Sequence, residues 1–446
     1  METMLHASFL QIIICLFIGI ALIVLLTSRY RVHAFFALLL ASFVVGLGVG
    51  MPPADVIAAV KDGFGSVMKS LAMIIVLGTT LGILLEYTGS TQVMALFIMR
   101  KVGEKRSALA MTLTGFVVGL PIFCDSGFIV LSGLNRSLAK RAHTPMAVMA
   151  VSLATGLYSV HCLIPPHPGA SAAAGIIGVD FGKLILTGIV VAIPASVVGY
   201  LWAGYMGKKV EDVVPDDLDV PVESSNLPSV IKAFLPVIVP ILLISLKSFL
   251  VIDPAVNSKW LTSVLSLGDP VLALAVGILL TFNCKRNWDK NTVGKLLTDG
   301  AEKAGGILVI IGAGGAFGAV LAATKIGDHL SGAFALGSLG ILFPFLVAFV
   351  LKTAQGSSTV AIITSSSIIL PLLPALGLDT SNGHLLTVLA MGAGSMMISH
   401  ANDAYFWVIA KFSGLELKTM LRVYSVATVL MGLTSLTVVY ILTKIL

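Results

Sequence analysis

Residues 161–171 read His161-Cys162-Leu163-Ile164-Pro165-Pro166-His167-Pro168-Gly169-Ala170-Ser171, set within strongly apolar sequence. Three prolines in four positions remove backbone donors and clash with a continuing helix. A helix entering this stretch must therefore stop and restart. The stop frees carbonyls on one side and amides on the other. Amide ends attract anions, and the two histidines suit proton relay or hydrogen bonding to a substrate.

The chain around this break reads as membrane-embedded. Of 446 residues, 57% are hydrophobic and only 11% are charged, where an ordinary soluble chain carries about 25% charged residues. A soluble core cannot absorb that much apolar surface, so the bilayer is the solvent. Apolar runs of about 20 residues, long enough to cross the hydrocarbon core as helices, predict roughly 11–14 spanning or re-entrant segments. The net charge of +6 fits the Lys and Arg bias of cytoplasmic loops and is not read as nucleic-acid binding. The first run, Phe9 to Thr27, lacks a basic leader and a small-residue cleavage site, and Arg29 and Arg31 follow it. It is expected to be a retained helix that starts outside. Cys15, Cys124, Cys162 and Cys284 form no metal-ligand pair and imply no disulfide, so neither a metal nor a cofactor is expected.

Irregular backbone at membrane depth survives only where protein or a water-filled cavity satisfies its polar groups. Three further stretches share that character. Gly119-Leu120-Pro121-Ile122-Phe123-Cys124-Asp125-Ser126-Gly127 joins a helix-breaking proline to glycines that permit a tight tip. It also sets the Asp125 carboxylate where a charge is costly unless it serves a pathway or has a partner. Lys352-Thr353-Ala354-Gln355-Gly356-Ser357-Ser358-Thr359 opens with a cation suited to a carboxylate substrate. The plainer alternative is a lysine snorkelling to the interface beside small helix-packing residues. Ser399-His400-Ala401-Asn402-Asp403 is too polar for a lipid-facing helix, and its flanks are too apolar for an aqueous loop.

The four stretches fall into two pairs. Asp62-Gly63 resembles Asp299-Gly300, and Gly78-Thr79-Thr80-Leu81-Gly82 resembles Gly314-Gly315-Ala316-Phe317-Gly318. The polar stretch 208–229 separates an apolar half, 1–207, from another, 230–446. The first half is expected to hold a hairpin over about 107–134 and a broken helix over about 145–180. The second is expected to hold a hairpin over about 340–376 and a broken helix over about 384–412. Arg100, Lys101, Lys105 and Arg106 precede the first hairpin, and Arg136, Lys140 and Arg141 follow its tip, so both its ends should be cytoplasmic. The second is bracketed by Gly337, Ser338, Asp379 and Asn382, without Lys or Arg, so its ends should face outside. The expected fold is thus an all-α polytopic membrane protein of two inverted-topology repeats, each with a re-entrant hairpin and a broken helix. Such repeats place a substrate site at their interface near the bilayer midplane.

At these residues the chain resembles the gluconate permease family of bacterial sugar-acid:proton symporters, over nearly its whole length. The resemblance is carried by Gly119-Leu120-Pro121 followed by an acidic residue and Gly127-Phe128, and by Pro165-Pro166-His167-Pro168-Gly169. Ala354-Gln355-Gly356-Ser357 and Ser399-His400-Ala401-Asn402-Asp403, ending in Phe406-Trp407, add to it. The resemblance implies a fold of the ion-transporter superfamily, a homodimer formed through a scaffold domain, and location in the bacterial inner membrane. It also implies uptake of gluconate-like hydroxy acids with protons; some relatives take other acids, including D-serine. The chain departs from the pattern at Cys124-Asp125, where an aromatic residue and Glu are expected, and at Ala170, where Pro is expected.

The expected substrate site comprises Asp125, Ser126, His161, His167, Lys352, Gln355, Gly356, Ser357, Ser358, Thr359, Ser399, His400, Asn402 and Asp403. Hydroxyls and amides of the two tips would hold a carboxylate, with Lys352 or a histidine supplying positive charge. Asp125 is the leading proton carrier, Asp403 the second, and His161 and His167 assist. Sodium is the rival coupling ion, because Ser, Thr and Asn oxygens at the tips can coordinate it. An intramembrane enzyme built on Ser399, His400 and Asp403 is disfavoured, since adjacent residues seldom give the nucleophile–base–orienter geometry that hydrolysis needs. The topology is directly testable. Single cysteines replacing Arg136 and Asp379 should react with impermeant thiol reagents from opposite sides of the membrane; labelling from one side would exclude the inverted arrangement.

Overall fold

The computed structural model describes residues 9–210, 227–249, 265–285, 287–325 and 339–446. Most of the polar stretch between the halves, and the Gly337-Ser338 flank, lie outside these residues. All regular structure among the described residues is helical. Among the described residues, seven helices are long and apolar enough to cross a membrane, and four shorter apolar helices stand beside them.

The first half runs through α1 (Phe9–Val24), α2 (Ala34–Gly48), the long α3 (Pro53–Tyr87) and α4 (Ser90–Val102). It continues through α5 (Ser107–Gly119), α6 (Cys124–Arg141), α7 (Met146–Leu163), α8 (Pro168–Ile177) and α9 (Phe181–Met206). The second half runs through α10 (Val230–Phe249), α11 (Pro270–Thr281), the long α12 (Lys290–Ala323), α13 (Leu342–Gln355) and α14 (Ser358–Ile369). It ends with α15 (Ser381–Ser395), α16 (Ala404–Ser413) and α17 (Leu417–Leu442). A long helix, a tight helical pair, an interrupted helix and a final spanning helix thus occur in the same order in each half.

Local chemistry explains the interruptions. Pro121 follows the end of α5, and the next helix starts three residues later at Cys124. Pro165 and Pro166 close α7, while Pro168 sits at the start of α8, where its missing N–H costs nothing. Gly356 ends α13 with φ of 80°, a left-handed conformation that glycine adopts freely. Its Cα lies against the Asn402 backbone, so a side chain here would collide as well as strain. Ser357 and Asp403 then start α14 and α16 by accepting the Val360 and Tyr405 amides, as N-cap side chains do.

The long helices α3 and α12, of 35 and 34 residues, are each about 50 Å long and cross in opposite directions. Near the start of α3, Gly63 meets the Gly315 carbonyl and Ala319; towards its end, Thr80 meets Gly300. The interrupted helices lie deep in the bundle, and every residue of α7 is buried. Contacts between the halves are reciprocal. On α8, Gly169 packs against Thr359 and Ile362 of α14, while Phe128 of α6 packs edge-on against Tyr405 of α16. Exposed apolar side chains such as Leu10, Phe17, Ile231 and Leu242 cover the outer faces of α1 and α10, as a lipid-facing surface requires.

Close approach without a side chain is essential where α5 meets α7. A Cβ added to Gly115 would lie 2.5 Å from the Leu153 carbonyl oxygen and 2.9 Å from the Leu157 amide nitrogen. Both are backbone atoms that cannot swing aside. Gly115→Ala should therefore destabilise the protein by about 1–3 kcal/mol, read as a lower thermal midpoint in detergent. Gly65→Ala, with nothing within 4 Å of the added Cβ, should be neutral or stabilising, since alanine is the better helix former.

Candidate functional site

The first turns of four helices meet around one cavity of about 510 Å³. The α6 start contributes Phe123, Cys124, Asp125 and Ser126; the α8 start contributes Pro168. The α14 start contributes Ser357, Ser358, Thr359 and Val360, and the α16 start Asp403, Ala404 and Tyr405. Each helix start carries amides without intrahelical partners and the positive end of the helix dipole. Four such ends around one space make a local environment suited to an anion.

A second layer of side chains ties the interruptions together. Lys352, with a side chain 0% exposed, donates to Asp403 Oδ2 at 2.7 Å and to the Gly356 carbonyl at 2.6 Å. Asp403 also accepts from the Ser399 hydroxyl and, through Oδ1, from the Tyr405 amide. His400 Nε2 and Asn402 Nδ2 donate to the Thr353 carbonyl at 3.1 and 2.8 Å. In the first half, His167 Nε2 donates to the Gly119 carbonyl at 2.5 Å. Removing one partner of a buried ion pair generally costs about 3–5 kcal/mol. Lys352 is therefore held by Asp403 rather than free to meet a ligand.

Of the expected site residues, Asp125, Ser126, His161, Gln355, Gly356, Ser357, Ser358, Thr359, Asn402 and Asp403 line the cavity. His167, Lys352, Ser399 and His400 stand behind that lining and make the bonds just described. Among the described residues, His161 Nδ1 and both polar atoms of the Gln355 amide have no hydrogen-bond partner. His161 and His167 have ring centroids 4.9 Å apart.

The structure adds lining residues that sequence reading missed, chiefly Lys303, Tyr158 and Tyr405. Lys303 lies in the polar opening half of α12, where it looks like any other charge in Asp299-Gly300-Ala301-Glu302-Lys303. Its proximity to the resemblance at Asp299-Gly300 was the available signal. The tyrosines lie in apolar runs, where an aromatic reads as core. Tyr158 and Tyr405 donate to the Ser395 and Ala154 carbonyls and stack with their centroids 5.8 Å apart.

The chain matches the family described as GntP family permease over residues 11–445. It is 34% identical over 439 residues to a gluconate permease of Pseudomonas aeruginosa, covering 96% of each chain. It is 32% identical over 448 residues to the D-serine transporter DsdX of Escherichia coli K12, covering 98% of this chain and 99% of the relative. Among solved structures, MtrF of Neisseria gonorrhoeae, from a class of antimetabolite efflux pumps, aligns with a TM-score of 0.63 at 15% identity. That alignment covers 87% of this chain and 84% of MtrF. The YdaH transporter of Alcanivorax borkumensis aligns with a TM-score of 0.55 at 15% identity, covering 85% and 87%. These likenesses carry the fold, whereas the sequence match carries the family: the chain belongs to the GntP permeases, a family of transporters, and is a multi-pass membrane protein.

Proposed function

We propose that the protein imports gluconate or a related small hydroxy acid together with protons across the bacterial inner membrane, by alternating access of two inverted repeats. The convergence of four helix starts on one polar cavity carries this reading. Each helix start favours an anion by roughly 0.3–1 kcal/mol. Four together reach about 1–4 kcal/mol, up to a thousandfold in affinity. A neutral solute would gain none of this. The hydroxyls of Ser357, Ser358 and Thr359 and the unpartnered Gln355 amide supply donors and acceptors for a hydroxy acid. The gluconate permease and D-serine transporter among the relatives favour a small polar carboxylate over an apolar or cationic substrate.

The inverted repeat draws support from the pairing of contacts. A twofold axis relating two halves turns each contact into a reciprocal one. Gly63 on α3 meets the Gly315 region, while Gly300 on α12 meets Thr80. Likewise α8 meets α14, and α6 meets α16. The pairs follow the sequence resemblance between Asp62-Gly63 and Asp299-Gly300 and between the Gly78 and Gly314 segments. On this reading the hairpins 107–134 and 340–376 enter from opposite faces, and their tips belong to the site. A homodimer, implied by the sequence resemblance, would hold one cavity in each protomer.

Protons couple through Asp125. Its carboxylate lines the cavity in the first turn of α6 and lacks the buried lysine partner that Asp403 has. Protonating Asp125 removes a negative charge that repels an anionic substrate, so proton and substrate favour each other's binding, the reciprocity a symporter needs. In proteoliposomes, wild-type protein should accumulate gluconate on an inward proton gradient without sodium. Asp125→Asn should abolish accumulation while sparing exchange of internal for external substrate. Full accumulation by Asp125→Asn with a strict need for sodium would remove both the proton and this residue from the mechanism. No saturable uptake across a panel of hydroxy acids and amino acids would remove the substrate assignment.

A further inference from the structure

We propose that Lys303 selects for an acidic substrate by pairing its ammonium with the substrate carboxylate beside Ser126 and the start of α6. This inference rests on the proposed transport of a hydroxy acid and names the charge that would recognise its acid group.

The ionic inventory of the cavity points to this residue. Among the described lining residues, Lys303 is the single Lys or Arg. Lys352, expected from sequence as one source of positive charge beside the histidines, has its side chain fully buried and already bonds Asp403 and the Gly356 carbonyl. Lys303 instead reaches in from α12, with an exposed side chain. Its Nζ donates to Ser126 Oγ at 3.0 Å and lies 4.8 Å from the Phe123 ring centroid. Neither contact neutralises it, and no carboxylate forms an ion pair with it among the described residues. An ammonium has three donors, so it can keep Ser126 and still meet a carboxylate.

The surrounding carboxylates make the charge of Lys303 available to an anion only when they are neutralised. Asp125 lines the same cavity, and Glu86 on α3 is close enough for Lys303 to act on it electrostatically. Asp403 is matched by Lys352. When Asp125 takes up a proton, the charge of Lys303 is left less compensated, and the substrate carboxylate can replace that of Asp125. The remaining polar groups are placed to read the rest of the molecule. His161, 8% exposed, and Gln355 both line the cavity, with the His161 Nδ1 and the Gln355 amide buried and without a hydrogen-bond partner. Lys303 and Ser126 would thus take the acid end, leaving His161 and Gln355 for hydroxyls.

Charge selectivity tests the proposal without requiring transport. Purified wild-type, Lys303→Met and Lys303→Arg proteins would be titrated with gluconate and with gluconamide, its uncharged amide, and affinities read from ligand-induced thermal stabilisation. Wild type should prefer the acid. Lys303→Met should lose about 10- to 100-fold of that preference, as expected for one charge-assisted hydrogen bond, while Lys303→Arg retains most of it. A purely structural role would weaken both ligands together and leave their ratio unchanged. An unchanged ratio in Lys303→Met, or equal binding of acid and amide by wild type, would overturn the proposal. Should Lys303→Met fail to fold, Lys303→Gln would replace it under the same criterion. Wild type that binds neither gluconate nor any other hydroxy acid would instead overturn the transport reading beneath the proposal.

Discussion

A peptide group in hydrocarbon has no water to bond, so every interruption of a spanning helix must find partners within the protein. This constraint organises the interior of the transporter. The carbonyl ends of α5, α13 and α15 are met by protein side chains. His167 serves Gly119 at the end of α5, and His400 and Asn402 serve Thr353 near the end of α13. Lys352 serves Gly356, and Tyr158 serves Ser395 at the end of α15. The amide ends are treated differently. The starts of α6, α8, α14 and α16 line the cavity, where side chains of the protein cap only the Val360 and Tyr405 amides. The candidate site thus lies where helix starts, rather than helix ends, meet open space.

Charge follows the same division. The Lys352–Asp403 pair lies at the junction of α13 with the interruption between α15 and α16, and further bonds from Ser399 and the Tyr405 amide surround it. Such a pair is weak as a source of net stability but costly to break singly. It therefore fixes the geometry of the second interruption. The first interruption has no ion pair among the described residues. It relies on His167 and on close glycine contacts between α5 and α7. The groups left facing the cavity, Asp125 and Lys303, come from elements outside the locked pair. On the proposed mechanism, ligand and proton act on them without unpairing a buried charge.

Much of this arrangement was legible in the sequence because its cause is local. Proline within Ile164-Pro165-Pro166-His167-Pro168 dictates a helix stop wherever it occurs, and the polar runs at Asp125, Gln355–Thr359 and Asn402–Asp403 are conspicuous against apolar flanks. Low charge content made the membrane class plain. What stayed hidden depends on three-dimensional pairing. Sequence offered Lys352 or a histidine as the cation for a carboxylate, but only its distance to Asp403, fifty-one positions along the chain, reveals Lys352 as already matched. Lys303 went unnoticed because its importance comes from α12 crossing to the tip of α6, a contact spanning 177 positions. Tyr158 resembles a core aromatic until its place beside His161 and the cavity is known.

On the proposed mechanism, proton and acidic substrate share one cavity and bind as a unit. Proton movement during equilibrium binding tests it most directly, with transport and membrane potential absent. Gluconate would be added to purified protein in weakly buffered detergent solution, near the pH at which Asp125 exchanges its proton, with a pH indicator following the solution. Binding should draw protons from solution in wild type, and this uptake should disappear in Asp125→Asn while binding persists. Saturable binding of gluconate with no proton uptake at any pH across the working range would contradict it.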